Sequence, residues 1–463
     1  MQKNDIITVE IESVSGDGSG VARFQGQVIF VPFSAVGDKV EVVIIKCAKS
    51  YAVGKVVKIL SPSRTRKETD CEVFGKCGGC VFRHIDIKEE ERIKTENVKS
   101  AMKKIGHIDV DVCDCVTPLE FSYRNKAQLP VSEDEKGLHC GFYASHSHRI
   151  IDKSIDCKTA PKVFGEISSY ILSFMKREGI SGYNEESSKG IVRHLYYRIN
   201  ARDEVMVCIV TSTRFLISKL IEDKLIKELC DNFPSIVSIF INYNPESTNV
   251  VLGRDFRLIF GEEYFEDEIL GVKLKMSPDS FFQVNRKGAD LLYKTAFSLL
   301  DKGHYENVYD LYCGIGSIGI TLFSEMKKGT IGATAHRLLG IEIVEKAVEC
   351  AKVNAMENGI DKAEFVACDS GEITKSGLFD KYPPSLVILD PPRKGTTTHL
   401  LDFLVEREVE NILYISCDPA TLARDMGYLY SKGYTSSSVH PINMFTGTKH
   451  CEAVCALHRK ASQ

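Results

Sequence analysis

Four apolar runs in the C-terminal part of the chain each stop at a polar or nucleophilic residue. Asn307 to Tyr309 precedes Asp310, LLGI precedes Glu342, the strand end ILDPPRKG carries Asp390, and Asn411 to Ser416 precedes Cys417. Short apolar strands of this kind, separated by helical patterns such as Ile318 to Met326, predict an open, doubly wound α/β sheet. In such sheets ligands and reactive groups gather at the carboxyl ends of the strands. A thiol placed there, Cys417 in YISCDPATLARD, is a candidate nucleophile, 27 residues after Asp390.

The turn Asp310-Leu-Tyr-Cys-Gly-Ile-Gly-Ser317 lies between the first of these strands and a helix. Its glycines let the backbone approach a nucleotide-like ligand. Glu342, at the next strand end, is an acidic residue of the kind that accepts hydrogen bonds from a ribose. A glycine turn alone is a weak signal; its order relative to the later strand ends is the stronger one.

With 463 residues and 43% hydrophobic content, the chain exceeds one ordinary domain, and two or three are expected. It has no run of about 18 apolar residues and no secretory signal pattern, so the expectation is a cytoplasmic protein without a membrane span. Its 16 cysteines then read as thiols, metal ligands or catalysts rather than disulfides. A net charge of -4 excludes a broad basic coat but leaves room for a local basic groove.

Toward the N-terminus, Ile6 to Ile11, Val28 to Val31, Lys39 to Ile45 and Ala52 to Ile59 read as strands separated by SGDGSG, SAVGD and CAKS turns. This predicts a small β-barrel of the oligonucleotide-binding type, which serves either RNA contact or scaffolding. The following segment, CEVFGKCGGC, places Cys71, Cys77 and Cys80 within ten residues. That spacing is a strong metal signal, with Cys157 as candidate fourth ligand, although Cys113, Cys115 and Cys140 lie between. Four thiolates suit zinc or an iron–sulfur cluster equally. An amphipathic helix is predicted from Glu89 to Ile105. In the middle region, Tyr123-Arg-Asn-Lys-Ala-Gln128 and Arg193-His-Leu-Tyr-Tyr-Arg198 interleave cations with aromatics, a mixture that grips phosphates and stacks bases or simply lines a strand face. The histidines of ASHSHR read as a solvated loop.

The ordered set CxxxxxCxxC, SPDSFFQVN, DLYCGIGSIG, GIEIVEKAV, DPPRKG, YISCDPATLARD and MFTGTKHCEAV resembles the RNA uracil-5 methyltransferase family over nearly the whole chain. The barrel and cysteine cluster are similar to the TRAM-domain, iron–sulfur branch that acts on 23S ribosomal RNA, because the family's tRNA-specific bacterial members commonly lack both. The resemblance implies a multidomain α/β protein. Its expected parts are an OB-like TRAM β-barrel at 1–62, an α/β central RNA-binding domain at 63–276 with the iron–sulfur site, and a Rossmann-like methyltransferase domain at 277–463. The amphipathic helix is expected to pack back on that last domain.

Carried over to this sequence, the resemblance makes Gln283, Tyr312, Glu342, Asp369 and Asp390 the S-adenosylmethionine contacts. Cys417 becomes the nucleophile and Glu452 the general base. Cys71, Cys77, Cys80 and Cys157 become ligands of a 4Fe-4S cluster. The expected partner is RNA, 23S ribosomal RNA in particular, rather than DNA or a membrane, and the expected state is a monomer.

Carbon 5 of uracil is a poor nucleophile toward a sulfonium methyl. A thiolate adding at carbon 6 gives carbon 5 enolate character, and a carboxylate then removes the carbon 5 proton. A thiol with an ordinary pKa of about 8.5 needs help to ionise, for which Arg424 or a helix starting near Pro419 are the candidates. Two features depart from the family pattern. The stretch MKKGTIGATAHRLLG is longer than usual, which leaves the second strand's register open, and Asp418 stands where Asn is usual. Competing readings are a tRNA uracil-5 methyltransferase, a non-catalytic RNA-binding metal protein, and an amino-group methyltransferase, which needs no cysteine.

Overall fold

A computed structural model describes residues 1–118, 122–135, 137–216, 218–375 and 377–460. Two compact units are interleaved along the chain: one comprises Met1–Pro118, Pro391–Thr396 and Tyr414–Gln463, the other Leu119–Asp390 and Thr397–Leu413.

The first unit begins with a six-stranded sheet. Its order is Ile6–Glu10, Lys39–Cys47, Tyr51–Ser61, Gln27–Val31, Gly20–Phe24, Ser13–Val14. Strand Ile6–Glu10 also touches Gly20–Phe24, so the sheet curls on itself. Alternation in Lys39–Cys47 sends Val40, Val42 and Ile44 inward, where they meet Val9, Ile11, Ile29, Val31 and Ala52 in one apolar core. Arg66 ties the following segment to this sheet through the buried carboxylate of Asp38.

Helix Ile87–Ala101 opens on an Asp86 cap, whose carboxylate accepts from the Glu89 amide at 2.8 Å. It closes in a π-helical turn, Met102–Gly106. There Gly106 meets helix Pro419–Ser431: a Cβ on Gly427 would lie 2.4 Å from the Gly106 carbonyl oxygen. The unit's C-terminal strands are Ser438–Ile442 and Glu452–Arg459, antiparallel to each other, with Asp111–Val112 beside the former and Tyr434–Thr435 beside the latter.

The second unit holds two sheets. One runs Asp255–Gly261, Ile236–Tyr243, Val205–Thr211, Val192–Ile199, Lys126–Asp134, Gly137–Cys140. Helices Lys162–Glu178 and Lys219–Asn232 pack on its apolar face. The other contains parallel strands in the order Ala363–Ala367, Ala333–Glu342, Gly303–Leu311, Leu386–Leu389. Strand Gly303–Leu311 is first in the chain yet lies inside the sheet, so a topological switch point falls beside it, where α/β sheets bind ligands. The strand carrying Glu342 pairs with it from Gly303 opposite Ala333 to Leu311 opposite Ile341. The long connection is thus absorbed partly as extra strand, and the register left open by the sequence is Asp310 opposite Gly340. Strand Asn411–Ser416 runs out of this unit into the first. Among the described residues, no helix is long and apolar enough to cross a membrane.

Candidate active site

At the carboxyl end of Gly303–Leu311 the chain turns through Tyr312 at φ 68°, Gly314 at φ 55° and Gly316 at φ 80° before helix Ser317–Lys328. Tyr312 holds a left-handed backbone that costs a non-glycine residue on the order of 1 kcal/mol, a kind of strain that clusters at ligand sites. Gly340 lies behind this turn; a Cβ there would meet the Phe365 ring at 2.2 Å and Cys313 Sγ at 3.0 Å. Glu342 grips the turn directly, its Oε2 accepting from the Gly314 amide at 3.0 Å and its Oε1 from Val344 at 2.9 Å. The Cys368 amide donates to the Glu342 carbonyl at 2.9 Å, which brings exposed Asp369 alongside.

Asp310 is a residue to which the sequence reading gave no role. It is fully buried; Oδ2 accepts from the Gly319 amide at 2.8 Å, while Oδ1 has no hydrogen-bond partner among the described residues. Burial, with repulsion from Asp390 and Glu342, pushes its carboxyl up to about 7. Burial pushes Asp390 up to about 7 as well. Three carboxyl groups within electrostatic reach, one with an orphaned oxygen, make a site that gains by taking up a cation. S-adenosylmethionine, with its sulfonium, fits that demand.

Gln283 is buried in the loop between Val272–Met276 and helix Arg286–Ser298. Tyr196 donates to the Pro278 carbonyl at 2.8 Å, Arg198 to the Ser280 carbonyl, and Asn125 to the Gln283 carbonyl at 2.9 Å. Gln283, Tyr312, Glu342, Asp369 and Asp390 therefore all belong to one unit.

Cys417 and Glu452 belong to the other. Half-buried Cys417 occupies the junction between strand Asn411–Ser416 and helix Pro419–Ser431. Asp418 caps that helix, its Oδ1 accepting from Ala420 at 2.8 Å and Thr421 at 3.2 Å. Arg424 is committed elsewhere: it donates to Asp425 and to the carbonyls of Lys394 and Thr396, holding the PPRKGT turn. Glu452 is buried at the start of its strand, opposite Ile442.

Cys71, Cys77 and Cys80 lie half-buried on one loop of the first unit. Arg83, pinned by Asp70, is within electrostatic reach of Cys71 and Cys80, a setting that suits an anionic metal–thiolate centre. Cys157 is in the second unit, its Sγ 3.1 Å from Thr159 Oγ1. Among the described residues no three His, Cys, Asp or Glu side chains are drawn together as a metal-binding group.

The family model for tRNA (uracil-5-)-methyltransferases matches residues 88–460, and that for the TRAM domain residues 2–57. A Clostridium tetani protein named as an uncharacterized RNA methyltransferase is 36% identical over 457 residues, covering 98% of this chain and 96% of the relative. A relative of the same description from Oceanobacillus iheyensis is 34% identical over 465 residues, covering 100% and 98%. Among solved structures, the tRNA (uracil-54, C5)-methyltransferase of Pyrococcus abyssi in complex with S-adenosyl-L-homocysteine superposes with a TM-score of 0.74 at 26% identity, covering 97% of this chain and 100% of that one.

Proposed function

Because the chain belongs to the tRNA (uracil-5-)-methyltransferase family of S-adenosylmethionine-dependent RNA methyltransferases, we propose that it methylates carbon 5 of a specific uridine in 23S ribosomal RNA through a covalent cysteine adduct. The observation that supports the covalent route is the junction of Cys417: a half-buried thiol at the carboxyl end of a strand, where α/β sheets gather reactive groups.

When bound, S-adenosylmethionine supplies a methyl group on a sulfonium. Gln283, Tyr312, Glu342, Asp369 and Asp390 hold and orient it. Cys417 Sγ adds to carbon 6 of the uracil, and carbon 5 takes the methyl. Glu452 removes the carbon 5 proton, which restores the double bond and expels the thiolate. The target base leaves its stack to reach these groups, at a cost of roughly a few kcal/mol that loop RNA lowers. Cys71, Cys77, Cys80 and Cys157 are assigned to a 4Fe-4S cluster that shapes the fold or RNA binding, because methyl transfer involves no electron change.

The TRAM domain together with the cysteine loop supports ribosomal RNA as the target. One observation favours tRNA instead: the Pyrococcus abyssi structure, named for a tRNA uracil, covers nearly the whole chain. Transcripts of 23S ribosomal RNA and tRNA containing 5-fluorouridine separate the two. Fluorine at carbon 5 does not leave as a proton, so a covalent complex persists on a denaturing gel. The expected result is a complex with ribosomal RNA that disappears in Cys417→Ala. A complex with tRNA alone would keep the chemistry and overturn the substrate, and no complex with either would sink the covalent route.

A further inference from the structure

The loop that leads into the strand starting at Glu452 is held by a buried ion pair on helix Ile87–Ala101. Ile442 stands opposite Glu452, so residues 443–451 form a loop closed at its base by that pair. Glu90, on helix Ile87–Ala101, reaches into this loop. Its Oε1 accepts from Asn443 Nδ2 at 3.0 Å and from the Gly447 amide at 2.8 Å, and its Oε2 lies 3.1 Å from the same amide.

Lys94, one helical turn on, sits 2.9 Å from Glu90 Oε1 and donates to Asn443 Oδ1 at 2.6 Å and to the Phe445 carbonyl at 3.4 Å. The two side chains are only 3% and 1% exposed. Gly447 is fixed from its other side too, its carbonyl accepting from Val81 at 2.8 Å and Phe82 at 2.9 Å, next to Cys80.

Stability is a poor explanation for this pair, since a buried ion pair is often replaced by apolar residues without loss. What it supplies that apolar side chains do not is a fixed position for Asn443 and Gly447, the residue next to Glu452's cross-strand partner and the middle of the loop that ends at Glu452. We propose that Glu90, supported by Lys94, is a positioning residue for the proton-removal step, an inference that rests on Glu452 being the base. In that step the carbon 5 proton passes to a Glu452 oxygen. The C–H electron pair becomes the carbon 5–carbon 6 double bond, and the carbon 6–sulfur bond breaks with its pair returning to Cys417. Displacing a catalytic group by about 1 Å costs on the order of 100-fold.

The test is a single turnover with methyl-labelled S-adenosylmethionine and RNA tritiated at uracil carbon 5. In the unaltered protein, methyl transfer and tritium release keep step. Glu90→Gln is expected to transfer methyl within a few-fold of normal while releasing tritium about 100-fold more slowly. A covalent protein–RNA complex should then build up on natural uridine. The double substitution Glu90→Met with Lys94→Met, which removes both charges together, should show the same split in a protein that still folds, with a melting midpoint lowered by a few degrees because the Gly447 amide loses its acceptor.

Equal loss of both signals, no change in either, or unfolding of both variants would reject the proposal, since the pair would then serve the fold alone. Glu452→Gln is the reference. If it builds up no complex, the assignment of the base fails. If it does while the Glu90 variants behave normally, only the positioning role falls.

Discussion

Asp310 and Asp390 set the electrostatics of the proposed cofactor site. Both carboxyls are raised to about 7 by burial, so the folded chain holds more protons than the unfolded one between about pH 4 and pH 7. These groups therefore stabilise the free protein least above pH 7, and a bound cation relieves the penalty by favouring the carboxylates. Affinity for S-adenosylmethionine is expected to rise from pH 5 to about 8 and then level, with protons released on binding; calorimetry in two buffers measures both, and Asp390→Asn should flatten the profile. A second residue-level division concerns the two cation–aromatic runs. Arg193 and Arg198 spend their guanidinium groups on carbonyls of residues 244, 246, 278 and 280. Lys126, opposite Arg198, has Arg198 and Arg124 as charged neighbours, and burial beside these cations lowers it to about 8. A lysine so placed gains from an anion such as an RNA phosphate. Lys126→Ala should weaken RNA binding across sequences and reduce the slope of log affinity against log salt by about one, readable by filter binding at several salt concentrations.

At the scale of elements, helix Pro419–Ser431 shows how a departure from the family pattern is absorbed. Asp418 caps it through two backbone amides, a task asparagine performs equally well. Asp418→Ala is expected to cost about 1 kcal/mol and Asp418→Asn only a few tenths, measured by denaturant unfolding. Strand Ala333–Glu342 tells a related story. Its ten residues were hard to register from sequence because Gly329, Gly332 and the stretch Ala333-Thr-Ala-His336 offer no sharp boundary, whereas pairing with Gly303–Leu311 leaves one solution. Helix Ile87–Ala101 was legible from its apolar stripe, but its π-helical end was not, since that turn answers to the close approach of Gly106 and Gly427.

At the scale of the whole molecule, the chain is threaded through its two units more than once, and the proposed roles divide between them: cofactor contacts in one, Cys417, Glu452 and the Cys71–Cys80 loop in the other. Protein purified without oxygen is expected to carry about four iron and four sulfide per chain if the cluster assignment holds. Colorimetric iron and sulfide analysis checks this, and Cys77→Ser should lower both values sharply. The proposed chemistry was readable from the sequence because it depends on residue types at short spacings: a thiol or carboxylate at a strand end, glycines before a helix, three cysteines on one loop. Membership of the family then follows from the order of those motifs. Tertiary structure alone decided how such groups are held. The orphaned oxygen of Asp310, the split between Arg198 and Lys126, and above all the contact of Glu90 with Gly447, 357 residues away in the chain, leave no periodic or local trace. They arise only when folding forces buried polar groups to find partners wherever the chain has brought them.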